Sequence, residues 1–377
     1  MTVSEPSFTF GIEEEYHLVD LESRDLAPAP QALMHALESV LGRQVAPEFL
    51  RSQLEVGTEK GRDFGATRRE LSRLRATIAA EAGRHGLAPI AASTHPFGRP
   101  RDLQTTAKHR YRTLARDLAG VGRRLVICGM HVHVAIEDDE LRIDLMNQMR
   151  YFLPHLLMLS TSSPFWEGED TGLKSYRLAV IDEMPRTGLP GRFESFDQYR
   201  RTIDVLIRAG VIEDATKVWW DVRPSARFPT LEMRITDVCP LIDDAVTIAA
   251  LYVSIARMLY RLRRSNQSWR GYPLFLLAEN RWRAQRYGVH GTLFDFGKGE
   301  LVALSDLLDE LIELVAPDAA ALGCTSEVGR ARVIAKSGTS ANRQVAELER
   351  LMAAGAPRES ALRGVVDLLV AETASGL

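Results

Sequence analysis

The sequence predicts an α+β fold, in which a largely antiparallel sheet carries helices on one face. Two observations lead there. Five segments alternate apolar and polar residues with the strand period. Long stretches with helical periodicity separate them, without the short, regular alternation of a doubly wound parallel sheet.

Each strand places an apolar parity toward the core and a polar parity on the opposite side. In 8–20, Phe8, Phe10, Ile12, Tyr16 and Leu18 share one parity, and Glu13, Glu15 and His17 the other. Glu14 falls on the apolar side, so no catalytic role is assigned to it. In 50–56, Leu54 and Val56 oppose Arg51, Gln53 and Glu55. In 130–136, Met130, Val132, Val134 and Ile136 oppose His131 and His133, and Cys128 is in step with the core set. In 217–223, Val218, Trp220 and Val222 oppose Lys217, Trp219, Asp221 and Arg223. In 231–235, Leu231, Met233 and Ile235 oppose Glu232 and Arg234.

Helices fill the intervals. Asp138 or Asp139 is a plausible N-cap for one long helix toward Leu159, kinked at Pro154. Another follows Asp243 and Asp244 and ends in the arginine-rich 261–264, which suits the negative end of a helix dipole. Helices are also predicted over 68–84, 196–209, 301–315 and 359–371. The segments 160–171 and 184–191 read as long loops, and whether they and Lys174 between them line a pocket is left open by the sequence.

With 377 residues, 45% hydrophobic and 26% charged, the chain has the balance of a soluble globular protein. Its net charge of −3 gives no bias toward nucleic acid or an anionic membrane. The pairs Arg68/Arg69, Arg123/Arg124 and Arg263/Arg264 read as solvated surface. Cys128, Cys239 and Cys324 lack any CxxC spacing, which argues against a disulfide framework and a zinc knuckle. The first ten residues lack the basic and apolar regions of a signal peptide. The apolar stretch 245–256 falls short of the roughly 20 residues that span a bilayer. A buried helix and a cytoplasmic protein are expected.

The polar parity is where the chemistry lies. It collects Glu13, Glu15, Glu55, His131, His133 and Glu232, with Arg234 two residues beyond Glu232. ExE, HxH and ExR on strands each aim two groups the same way. Gathered carboxylates repel one another unless cations sit between them. Oxygen ligands favour Mg²⁺ or Mn²⁺, and histidine tilts the choice toward Mn²⁺ or Zn²⁺. Singly, the acidic run reads as surface, HxH as a structural pair and ExR as a cross-strand ion pair. Together they favour a metal-centred site, provided the strands are neighbours. There is no GxxxxGK[ST], no strand-linked GxGxxG and no GxSxG. Nucleotide phosphates would therefore be held by metals and arginines.

Several motifs carry a resemblance. They include Gly11-Ile12-Glu13-Glu14-Glu15-Tyr16, Ser52-Gln53-Leu54-Glu55, Thr94-His95-Pro96-Phe97 and Gly129-Met130-His131-Val132-His133-Val134. Ser163-Pro164-Phe165-Trp166, Asp170-Thr171-Gly172 and Ser175-Tyr176-Arg177 follow in order. So do Trp220-Asp221-Val222-Arg223-Pro224, Thr230-Leu231-Glu232-Met233-Arg234 and Glu279-Asn280-Arg281-Trp282. The chain resembles the YbdK-like carboxylate–amine ligases, also called glutamate–cysteine ligase type 2. The match runs from residue 11 to about 287 and continues more weakly through Asn342-Arg343-Gln344.

The resemblance implies a glutamine synthetase-like fold, a curved antiparallel sheet forming a funnel with helices on its outer face. It implies one catalytic domain, 1–377, mainly helical from about 300. Carried over by position, Glu13, Glu15, Glu55, His131 and Glu232 are metal ligands, and His133 joins them as a candidate. Arg234 and Glu232 are the catalytic pair. Arg234, Arg177 and Arg223 are candidates for holding phosphate or a substrate carboxylate. The implied cofactors are ATP and Mg²⁺ or Mn²⁺, and the partners are small carboxylate and amine substrates, in a homodimer. The implied reaction phosphorylates the carboxylate and lets the amine displace phosphate, with weak glutamate–cysteine ligase activity as the default. Ala135, where the family commonly has glycine, and Leu173-Lys174 depart from the pattern and bear on substrate choice. A metal-dependent amide hydrolase and a non-catalytic metabolite-binding relative are the competing readings.

Overall fold

The alternating segments fold as neighbouring strands. The computed structural model describes residues 4–100, 105, 106, 116, 118–122 and 124–377. Arg123 of one expected surface pair and the first three residues of the N-terminal reading lie outside the described residues. The strands are β1 (Phe10–Asp20), β2 (Val45–Pro47), β3 (Gln53–Gly57), β4 (Leu87–Ile90) and β5 (Met130–Ala135). A small hairpin, β6 (Phe165–Trp166) and β7 (Glu169–Asp170), comes next, then β8 (Thr187–Gly188) and β9 (Trp219–Trp220). They are followed by β10 (Val222–Pro224), β11 (Thr230–Met233), β12 (Thr292–Asp295) and β13 (Glu300–Ala303). The main sheet runs β10-β11-β5-β1-β3-β2, with β4 paired to the far end of β1. All of its pairings are antiparallel.

One expected strand does not hold together. The segment 217–223 divides at Asp221. β9 pairs in parallel with β8 outside the main sheet, and only β10 joins β11. The switch occurs because the Asp221 amide donates to Gly188 while its carbonyl accepts from both Arg234 and Ile235. Two residues on one strand facing one on its neighbour is bulge geometry, which bends the strand and re-aims side chains.

The helices are α1 (Gln31–Leu41), α2 (Phe64–Gly83), α3 (Asp139–Met149), α4 (Leu153–Ser160), α5 (Tyr176–Ile181) and α6 (Phe196–Arg208). After them come α7 (Ile242–Arg264), α8 (Leu274–Tyr287), α9 (Leu304–Leu322), α10 (Thr325–Gly329), α11 (Ala331–Ser337), α12 (Ser340–Ala353) and α13 (Arg358–Thr373). The helix expected from 138 to 159 is two helices. Asp138 caps α3 as predicted, accepting from the Leu141 amide. The chain then breaks at 150–152, because a proline at 154 collides with the carbonyl four residues back. Pro154 sits instead in the first turn of α4, where its missing N–H costs nothing. The helix expected over 301–315 is preceded by the β12–β13 hairpin, begins at Leu304 and continues to Leu322.

The core lies beneath the apolar parity. Phe10, Ile12, Leu54, Val56, Val132, Val134, Leu231 and Met233 are buried in one cluster with residues of α2, α3, α4, α7 and α9. Each such side chain contributes roughly 1.5–3 kcal/mol by leaving water. At the centre is α7, which packs on β5 and on α2, α3, α4 and α9. It has 23 residues, longer than its expected apolar stretch and long enough by length and composition to cross a membrane, but 83% of its most apolar window is buried within the protein. Asp243 and Asp244 stand in its first turn and Arg261, Arg263 and Arg264 in its last, complementing the helix dipole. At the C-terminal end, α13 packs on β4 and on α12, covering that side of the sheet.

Candidate active site

Sheet register assembles the polar face. Residues directly opposite on antiparallel strands point to the same side. Glu15 faces Glu55 across β1 and β3, and Glu13 faces His131 across β1 and β5. His133 faces Glu232, which in turn faces Arg223 on β10. The expected residues from five strands thus converge, with Arg234 just past the end of β11. Glu14 points the opposite way, where its carboxylate takes two bonds from buried Arg75 at 2.9 and 2.7 Å.

Two carboxylate clusters result. In the first, ligand atoms of Glu13, His133 and Glu232 all lie within 4.8 Å of one another. His133 Nε2 is 3.5 Å from Glu13, and its Nδ1 is bonded to Thr230 Oγ1 at 2.9 Å, which fixes the ring. His131 Nδ1 lies 3.4 Å from the other oxygen of Glu13. The bonds from the two histidines hold Glu13 well below the usual carboxylate range, although burial opposes this. Burial and the charge of Arg234 pull His131 down to about 4, so the ring is a neutral ligand near pH 7.

The second cluster is Glu15, Glu55 and Glu48. Glu48 belongs to no alternating segment. It follows β2, and its carbonyl accepts from Thr106 Oγ1 at 2.6 Å. Burial and the charge of Glu48 push Glu15 up to about 7. Burial and the charges of Glu48, Glu13 and Glu15 push Glu55 well above its ordinary value. Three carboxylates in mutual repulsion are suited to a divalent cation, so the chemistry of this face fits Mg²⁺ or Mn²⁺.

Three arginines complete the face. Arg223 forks onto Glu232, with both bonds at 3.0 Å, and also donates to the Thr216 and Val218 carbonyls. Arg234 also donates to Glu232, on the Oε1 atom that Arg223 Nη2 holds. Between two guanidinium groups, Glu232 is held far below the usual carboxylate range despite its burial. Arg177, on α5, donates to the Arg234 and Ile235 carbonyls at 3.0 and 3.2 Å. Gly129 makes room for it, since a Cβ there would stand 2.5 Å from Arg177 Nη2. The Gly129 amide donates to Glu15 at 2.6 Å, so one glycine sets both residues. Buried Asp237 sits 3.9 Å from Arg177 and accepts from Ser162, Ser163 and Ser175 at 2.7–2.9 Å.

A cavity of about 270 Å³ opens beside this face, lined by Glu15, Glu48, His131, Arg177, Asp221 and Arg234 with an apolar wall from Leu178, Ile181 and Met184, while Glu13, Glu55, His133, Arg223 and Glu232 are not among its described lining residues. Met184 comes from the expected 184–191 loop. Lys174 packs near Gly288 instead and is not among the described residues lining the cavity. Glu48, Asp221 and Asp237 are site residues to which neither periodicity nor the resemblance assigns a role.

A family model described as glutamate-cysteine ligase family 2 matches residues 9–370. A protein of Rhodospirillum rubrum, provisionally named glutamate–cysteine ligase 2, is 58% identical over 99% of this chain and 97% of its own length. A Jannaschia protein with the same provisional name is 55% identical over 98% of this chain and 97% of its own length. Among solved structures, the Francisella tularensis glutamate–cysteine ligase in complex with AMP superposes with a TM-score of 0.68 at 13% identity, covering 100% of this chain and 90% of that one. The bifunctional glutathione synthetase of Pasteurella multocida gives 0.70 at 15% identity, covering 97% of this chain and 52% of that one. At such identities the likeness is one of fold, and it agrees with the antiparallel sheet and outer helices described above.

Proposed function

The chain belongs to the glutamate-cysteine ligase family 2, and on that premise we propose that it is an ATP- and Mg²⁺- or Mn²⁺-dependent carboxylate–amine ligase that forms an amide through an acyl phosphate. The observation that carries this reading is the register that puts Glu13, Glu15, Glu55, His131, His133 and Glu232 on one face beside Arg234.

Glu13, His133 and Glu232, with His131 adjacent, offer one cation position, and the mutual repulsion of Glu15, Glu48 and Glu55 supports the proposal of a second beside them. Divalent cations held there would neutralise the phosphates of ATP and keep the reacting oxygens in line. The chain's own contribution is arrangement. Arg223 keeps Glu232 ionised and aimed, and Thr230 fixes the His133 ring. Arg234 supplies the guanidinium for the phosphoryl group in transfer, where charge-assisted bonds in a site screened from water are strongest. Arg177, which lines the cavity with Glu15, is proposed to hold a phosphate or a substrate carboxylate. The substrate carboxylate attacks the γ-phosphorus and ADP departs. The amine then attacks the acyl carbon, phosphate leaves, and the nitrogen loses its proton. Glutamate and cysteine serve as a weakly used pair.

An isotope experiment tests this chemistry. With an ¹⁸O-labelled carboxylate substrate, an acyl phosphate transfers one ¹⁸O to the released phosphate. Unlabelled phosphate accompanied by amide product would refute it.

A further inference from the structure

Two residues of the quoted motifs, Asp221 and Arg281, have no role in the chemistry above, yet they meet. Arg281, buried on α8, donates to Asp221 through Nε at 2.7 Å and Nη2 at 3.2 Å. The same guanidinium donates to Asp182 through Nη1 at 2.7 Å and Nη2 at 2.9 Å. It is a planar fork shared by two carboxylates on different segments.

Both segments lead into the site. Asp221 is the residue at which β9 and β10 divide, and its carbonyl receives the Arg234 and Ile235 amides at 2.8 and 3.1 Å. Its position therefore sets the direction of Arg234. Asp182 ends α5, the helix that carries Arg177. Arg177 in turn bonds the carbonyls of Arg234 and Ile235. The base of the bridge is firm. Asn280 pairs with the Phe294 backbone at 2.9 and 2.7 Å, and the Gln285 carbonyl receives the Lys174 and Ser175 amides.

The geometry points to Arg281 as a positioning residue: by bridging Asp182 and Asp221 it locks the bulge that aims Arg234 and the helix that presents Arg177, while contacting neither substrate. This rests on the ligase reading for its effect on rate. Its structural content stands by itself. A lysine at 281 would keep one positive charge between the carboxylates but could not bridge them, because it is a point charge without a planar fork. Displacing a reacting group by about 1 Å from a distance can cost on the order of a hundredfold in rate.

The test compares wild type with Arg281→Lys by crystallography and by steady-state kinetics of ATP turnover, normalised to folded protein. Asp182→Asn, at a partly exposed side chain, is the second variant should Arg281→Lys fold poorly. The inference predicts that Arg234 leaves Glu232 or that the Asp221 carbonyl loses an amide. It also predicts that kcat falls by about tenfold or more while KM for ATP stays within about twofold, the pattern of a lost transition-state interaction. Asp182→Asn should move kcat in the same direction by a smaller factor. Unchanged placement of Arg234, or unchanged kcat per folded molecule with only a lower melting temperature, would overturn it. Absence of ATP turnover in the wild type would contradict the ligase reading instead, and the two crystal structures would still decide the role of Arg281.

Discussion

Arg223 grips both oxygens of Glu232, with Nε and Nη2 each 3.0 Å from its partner oxygen. The two residues face each other across β10 and β11, so the fork is built by register. It keeps a buried carboxylate charged at the centre of the face. Arg223→Lys should therefore lower ATP turnover by roughly tenfold or more, since a point charge cannot grip both oxygens and leaves Oε1 to Arg234 alone. Glu232→Gln should reduce it to background with the fold retained. ADP formation by the purified variants checks both, and near-normal rates would remove Glu232 from the site.

The Glu15–Glu48–Glu55 cluster sets a stability penalty against function. Replacing Glu55 by Gln removes one of three repelling groups, so the metal-free variant should melt about 1–3 °C above wild type. Mg²⁺ should raise the melting temperature of wild type more than that of Glu55→Gln, because only a bound ion contributes linkage stabilisation. Equal Mg²⁺ shifts in both proteins would place the ion elsewhere.

The buried Glu14–Arg75 pair predicts a stability effect with no direct catalytic counterpart. Arg75 also donates to the Cys239 carbonyl at 2.8 Å. Arg75→Met leaves the Glu14 charge stranded in the core and should cost about 3–5 kcal/mol in urea unfolding. A change under 1 kcal/mol, on the order of a surface pair, would contradict the burial of this contact.

Acid sensitivity should come partly from buried neutral histidines. Burial pulls His17 to about 3 and His95 and His155 to about 4. Each folded value lies below the unfolded value of about 6.5, so the unfolded chain takes up the proton first. The contribution is fully present above pH ~6.5 and is lost as pH falls toward about 4 for His95 and His155 and about 3 for His17, at up to roughly 1.4 kcal/mol per pH unit per histidine. His155→Phe should flatten the slope of urea stability against pH between about 6.5 and 4.5 relative to wild type. Parallel slopes would show that His155 titrates normally in the folded protein.

Much of the site was legible because the strand period is rigid. Glu13, Glu15, Glu55, His131, His133 and Glu232 could be placed on polar parities from alternation alone, and the register then brought them together. Register itself depends on which strands pair, which alternation within one strand does not encode. Glu48 escaped notice because it lies between β2 and β3, outside any periodic segment. Asp221 reads in the sequence as an ordinary strand residue, since a bulge is created by its long-range partners Gly188, Arg234 and Ile235. The pattern puts a kink at Pro154 where the chain breaks at 150–152, because proline both ends helices and begins them. Arg281 lies within a quoted motif, but only the fold reveals the two carboxylates it joins.

Phosphate release from ATP with Mg²⁺, measured while amino acids and related acids and amines are supplied in pairs, tests the central claim most directly. The account predicts release that requires both a carboxylate and an amine, with an amide of the summed mass less water. Amide cleavage without ATP, or ATP bound with no release under any pairing, would contradict it.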